Sequence, residues 1–130
     1  MSNSTIYAPE PSIQLVSFVE QQIRKAWLNG TVERRSENRC HMTVPVLVQP
    51  VDSQHNATGA PFSVVTRDIS PKGVGLMHSE PMDQTLLALQ MTFADEPTNL
   101  VAEVRWCAEL GSVYYIGCTF VAQLSSFPGA

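Results

Sequence analysis

Positive charge is scarce in this chain. Eight Lys and Arg stand against twelve Asp and Glu, a formal net charge of −4. Broad nucleic-acid binding draws on positive surface and counterion release, so nucleic acid is not an expected partner. Long apolar runs are missing as well. No stretch approaches the roughly 18–20 apolar residues that cross a bilayer, and no membrane span is expected. The opening MSNSTIYAPEPS has neither a basic nor an apolar region, which reads against a secretory signal and for a cytoplasmic location. Cysteine is confined to Cys40, Cys107 and Cys118, an odd number without C-x-x-C spacing, as expected of reduced thiols in a cytoplasmic protein. With the three histidines they offer no close ligand spacing beyond adjacent Cys40-His41, so no metal is expected. No acid–base pair or nucleophile–base set stands out, and the chain does not read as an enzyme.

What is present is enough for one domain with one core: 130 residues, 44% of them hydrophobic. Residues 1–11, with Pro9 and Pro11, read as a mobile lead-in. From Ser12 the pattern turns helical. Ile13, Val16, Val19, Ile23 and Trp27 recur at mostly three- and four-residue spacing and predict an apolar stripe on a helix over 12–29. Ser12 suits the N-cap and Asn29-Gly30 the stop, and Glu20 can pair with Arg24. The stripe has to be covered. Cover over the domain, a homodimer through the helix, and an output surface all stay open.

Beyond residue 40 the period changes to two. Met42 to Gln49 predicts a first strand, whose Pro45 suggests an edge or a bulge. Residues 52–60 form a polar loop. Further strands are expected at Phe62–Ile69, Gly73–His78, Leu86–Phe93, Leu100–Cys107 and Val113–Val121. In the fifth, Leu100, Ala102, Val104 and Trp106 share one face, and both Trp27 and Trp106 read as core or helix-packing residues. Six short strands with polar turns indicate a mainly β fold, an antiparallel barrel or sandwich spanning 30–122 after one N-terminal α-helix. Residues 123–130 read as a loose C-terminal tail.

The few cations are concentrated. Arg34, Arg35 and Arg39 lie in the segment Glu33 to Arg39, and Arg67 and Lys72 in Arg67 to Gly73, together five of the eight. Guanidinium groups at R-x-x-x-R spacing can clamp phosphate oxygens or a purine edge. They can also simply pair with Glu33 and Glu37. In the second segment, Ser70-Pro71-Lys72-Gly73 has turn chemistry and projects Asp68 and Ser70 from a strand end. An ionised Asp accepts hydrogen bonds from donors such as those on the guanine Watson–Crick edge, and Ser can serve base or phosphate. An Asp–Arg salt bridge across a hairpin is the plainer account of the same residues.

Taken together, Arg35-Ser36-Glu37-Asn38-Arg39 and Asp68-Ile69-Ser70-Pro71-Lys72-Gly73 resemble the paired R-x-x-x-R and [D/N]-x-S-x-x-G motifs of the PilZ domain family. Val74-Gly75-Leu76, Val104-Arg105-Trp106 and Ile116-Gly117-Cys118-Thr119-Phe120 are similar to that family too. The resemblance covers about residues 33–121. It implies a six-stranded antiparallel PilZ-type β-barrel that binds cyclic di-GMP, with 33–40 as a ligand-binding linker. By it, Arg35 and Arg39 grip phosphates and guanine faces, while Asp68, Ser70 and Gly73 meet guanine on the barrel. An arginine directly before the R-x-x-x-R motif, here Arg34, implies an intercalated nucleotide dimer and so two ligands per chain. The implied role is a second-messenger receptor that switches as its linker becomes ordered and passes the change to a downstream protein. The alternative is a scaffold or adaptor of the same fold that works through protein contacts alone. The helix departs from the commonest family pattern by lying at the N-terminus rather than after the last strand.

Overall fold

A computed structural model describes residues 11–28, 33–34, 40–41, 43–93 and 96–128. Ser12 caps the helix α1 (Ile13–Leu28). Its Oγ accepts the Leu15 N–H at 3.1 Å, and its carbonyl accepts the Val16 N–H at 2.9 Å. Glu20 and Arg24 pair at 3.2 Å along the exposed side, as their spacing predicts. The buried face differs from the expected stripe. Leu15, Val19, Gln22, Ile23 and Ala26 are buried, whereas Ile13 is 81% exposed. At 100° per residue Ile13 lies about 120° around the helix from Val19, too far to share its face. The Trp27 side chain is outside the described residues.

The strands are β1 (Glu33–Arg34), β2 (Cys40–His41), β3 (Pro45–Pro50), β4 (Phe62–Ser70), β5 (Gly73–His78), β6 (Leu86–Phe93), β7 (Glu96–Leu110) and β8 (Val113–Leu124). The last six form a closed antiparallel ring, β3–β4–β5–β8–β7–β6 and back to β3. The six-stranded barrel with one helix is therefore the fold. β3 is not an edge despite its proline, because both its sides are paired. Pro45 is tolerated as the first residue of the strand, where its missing N–H matters least. Beside it, Val44 donates its N–H to Thr66 Oγ1 at 2.9 Å and accepts the Thr66 N–H at 2.9 Å.

Alternation along the strands fills the barrel with Val46, Val48, Leu76, Leu87, Leu89, Leu100, Ile116 and Phe120, and the α1 face joins the same core. The helix packs on β4, β6 and β8. Its stripe is thus covered by the chain's own barrel, the first of the three uses left open. Lys25 reaches Glu96 at the start of β7, 3.7 Å away. A second apolar cluster lies elsewhere, formed by Val51, Ala88, Val101 and Phe127. The expected loose tail is corrected here: β8 runs on to Leu124, and Phe127 is 4% exposed. The apolar side chains of β6 and β7 that do not enter the main core need a cover, and the tail supplies it.

Two turns position the rest. Gly111-Ser112 links β7 to β8, with Gly111 at φ +68 as a tight primed hairpin turn requires. In the 52–60 loop, Asp52 Oδ1 accepts the N–H groups of Gln54 and Asn56 at 2.9 and 3.0 Å. These bonds, the one from Asn56 first, hold its carboxyl below the usual range.

Candidate functional site

The outer face of β4, β5, β8 and β7 is built in rows, because residues opposite each other in antiparallel strands project to the same side. One row runs Asp68–Gly75–Gly117–Trp106 across four strands. β2 extends it by a fifth, since His41 is opposite Asp68. A second row runs Ser70–Gly73–Thr119–Glu103. A third, on the other side of Asp68, runs Val65–Met77–Tyr115–Ala108.

Two bulges put the functional side chains on this face. The β4–β5 register slips between Thr66 and Asp68. Val64 and Thr66 point inward and are buried, so simple alternation would send Asp68 inward too. The extra residue, Arg67, lets Asp68 emerge outside while Ile69 returns to the core. In β7 the slip falls between Val104 and Trp106. It overturns the expected shared face: Trp106 leaves the side of Leu100, Ala102 and Val104 and is 51% exposed. Trp106 is a groove residue rather than a core residue.

The two glycines of the central row make room for its two ends. A Cβ on Gly75 would come 2.5 Å from Asp68 Oδ1, and one on Gly117 would overlap the Trp106 ring. The carboxylate and the indole therefore fold down over bare backbone from opposite sides. Gly73 serves a different need. A Cβ there would collide with the carbonyl oxygen of Cys118, so close approach of β5 to β8 already requires glycine. The Pro71-Lys72 turn is fixed by two bonds: Lys72 donates its N–H to Ser70 Oγ at 3.4 Å, and its carbonyl accepts the Phe120 N–H at 2.9 Å.

These rows surround a cleft of about 230 Å³ lined by Asp68, Ser70, Gly73 and also by Arg67, Lys72, Gly75, Trp106, Tyr115, Gly117 and Thr119. The Arg67 guanidinium carbon stands 4.6 Å from the centroid of the Tyr115 ring. The cleft thus offers a carboxylate and a hydroxyl as acceptors, two cations, and two aromatic faces. That set suits a flat heterocycle carrying N–H donors and an anionic group. Beneath it, burial and, secondarily, the charge of Cys107 push the Cys118 thiol up to about 12, so Cys118 acts as a small apolar core residue. Among the described residues no His, Cys, Asp or Glu cluster could hold a metal. No described helix is long and apolar enough to cross a membrane.

Of the sequence-predicted residues, Asp68, Ser70 and Gly73 come together at this cleft. Arg35 and Arg39 lie outside the described residues, as does the Arg34 side chain. Their flanks are placed, however. Arg34 is opposite Cys40 in the β1–β2 pair, and Cys40 is opposite Ile69 in β4. Both ends of segment 35–39 are therefore attached beside Asp68 and Ser70. The sequence reading missed Arg67, Gly75, Trp106, Tyr115 and Gly117 as site residues. Tyr115, Gly117 and Thr119 could have been found by alternation with the inward Ile116, Cys118 and Phe120, and Arg67 by alternation with the inward Val64 and Thr66, whereas the bulge that turns Trp106 outward leaves no such mark.

A family model described as PilZ domain matches residues 33–126. No curated protein sequence matches the chain.

Proposed function

Because the chain belongs to the PilZ domain family, we propose that it is a cyclic di-GMP receptor with a site split between barrel and linker. The observation that carries this reading is the pairing of β2 with Asp68 and Ile69, which puts Cys40, the residue directly after the R-x-x-x-R segment, beside the cleft that holds Asp68 and Ser70. The cleft alone is smaller than the roughly 300–1,000 Å³ of ordinary ligand pockets. It holds one part of such a nucleotide, and the arginine segment supplies the rest. Asp68 accepts from the guanine Watson–Crick edge, Ser70 binds base or phosphate, and Trp106 offers a stacking face. Gly73 acts by letting the turn and β8 close the floor. Arg35 and Arg39 clamp phosphates and guanine, and Arg34 stacks within an intercalated dimer, giving two nucleotides per chain.

Binding switches the molecule by ordering the arginine segment on the barrel, a change that a downstream protein reads. With β2 already paired to the barrel and β1 to β2, the switch concerns the residues between them. Calorimetric titration with cyclic di-GMP tests the reading. Wild type is expected to saturate near two nucleotides per chain, and Arg35→Ala to bind about tenfold more weakly or worse, since each lost charge-assisted bond is worth about 1.5–3 kcal/mol. Saturation at one nucleotide would remove the role given to Arg34. Absence of heat and of any thermal shift at high micromolar ligand would favour a scaffold that works through protein contacts.

A further inference from the structure

We propose that Arg67, held over the Tyr115 ring, is the specificity-determining cation of the barrel half of the site and holds a phosphodiester oxygen of the bound nucleotide. The assignment rests on the nucleotide reading above and adds a residue outside both sequence motifs. Alternation puts Arg67 outside, the β4 bulge brings Asp68 out next to it, and both line the same cleft. Tyr115 lies in the neighbouring row, opposite Met77, and the guanidinium carbon stands over its ring, 4.6 Å from the centroid. An exposed arginine usually keeps its rotamer freedom and contributes little. This one is restrained by its stack, so less order has to be imposed when a ligand arrives.

The contact sets the guanidinium against a π face and supplies no oxygen acceptor to its N–H donors. None of the described carboxylates forms a salt bridge with Arg67, although Asp68 is its immediate neighbour. Those donors can meet only acceptors. On a guanine whose donor edge is turned to Asp68, the strongest acceptors left on the ligand are the phosphate oxygens, which match the planar fork.

The test is a titration of the full chain with cyclic di-GMP, comparing wild type with Arg67→Ala, Arg67→Lys, Tyr115→Phe and Tyr115→Leu. Arg67→Ala is expected to weaken binding by about tenfold. Arg67→Lys should restore only part of this, because it keeps the charge and loses the fork. Tyr115→Phe should stay within about twofold of wild type, and Tyr115→Leu should lose affinity with the arginine intact. The melting temperature of the ligand-free Arg67→Ala protein should be unchanged, which separates a ligand contact from a structural one. The phosphorus resonance of bound nucleotide should move toward its free position in that variant. If wild type binds and Arg67→Ala binds equally well, or the resonance does not move, the assignment is overturned and the receptor reading stands. If wild type does not bind, the receptor reading falls and takes this inference with it.

Discussion

Three glycines of one barrel face serve two different needs, and only contact geometry separates them. At Gly73 the obstacle to a side chain is the Cys118 carbonyl, which is backbone and cannot turn aside. Gly73→Ala should therefore destabilise the fold itself by about 1–3 kcal/mol, seen as a lower denaturant midpoint with or without nucleotide. At Gly75 the obstacle is the end of the Asp68 side chain, which can swing. Gly75→Ala should leave the midpoint nearly unchanged and weaken nucleotide binding, because Asp68 leaves the position from which it meets the base. A Gly75→Ala protein that binds as wild type would show that the position of Asp68 over Gly75 is not used. The motif D-x-S-x-x-G made Asp68, Ser70 and Gly73 legible, but not that Gly73 is needed for packing while Gly75 and Gly117 seat the functional side chains. That difference lies in what faces each Cα across the strand pair, which a single strand's pattern does not contain.

Among the elements, the strands were legible and their faces only partly so. Period-two alternation located all six barrel strands, since each must bury one side. It failed at Asp68 and Trp106, where bulges add a residue and shift the phase. The two-residue strands β1 and β2 are too short to show any period. The helix was legible through its cap and its spacing, but its face was misread by including Ile13. Substitution checks the corrected face. Ile23, fully buried where α1 meets the barrel core, should lose about 2–5 kcal/mol of stability on truncation to alanine. Ile13→Ala should stay within about 0.5 kcal/mol of wild type. Equal losses from the two would return Ile13 to the buried stripe.

For the molecule as a whole, ring closure makes the barrel a fixed platform, with β2, which follows the arginine segment in the chain, paired to β4. Ligand should therefore stabilise the whole fold through linkage. At a free concentration about a hundred times Kd the gain is about 2.7 kcal/mol per site, and differential scanning should show Tm rising with ligand in wild type and rising by about half as much or less in Arg35→Ala at the same concentration, where a tenfold weaker Kd leaves about 1.4 kcal/mol per site. The core sets a limit at the opposite end of the pH scale. Cys118 lies inside the barrel beneath the cleft, and its thiol is pushed up to about 12, first by burial and then by the charge of Cys107. In the unfolded chain the same thiol ionises near its ordinary value of 9.0. The folded pKa is the raised one, so the unfolded state binds fewer protons between the two values. The neutral thiol's contribution is thus fully present below about pH 9 and is lost as pH climbs toward 12. The loss approaches about 1.4 kcal/mol per pH unit in that window. Denaturant midpoints at about pH 8 and pH 10.5 should diverge between wild type and Cys118→Val once differences at the lower pH are subtracted, wild type losing more, because valine fills the site and cannot ionise. Tyrosine and lysine titrations are common to both proteins and cancel. Cys107→Ser should reproduce only a minor part of the effect, since removing that neighbour leaves the burial of Cys118 in place. Parallel alkaline loss in wild type and Cys118→Val would mean that water reaches the thiol and the barrel is open at that point.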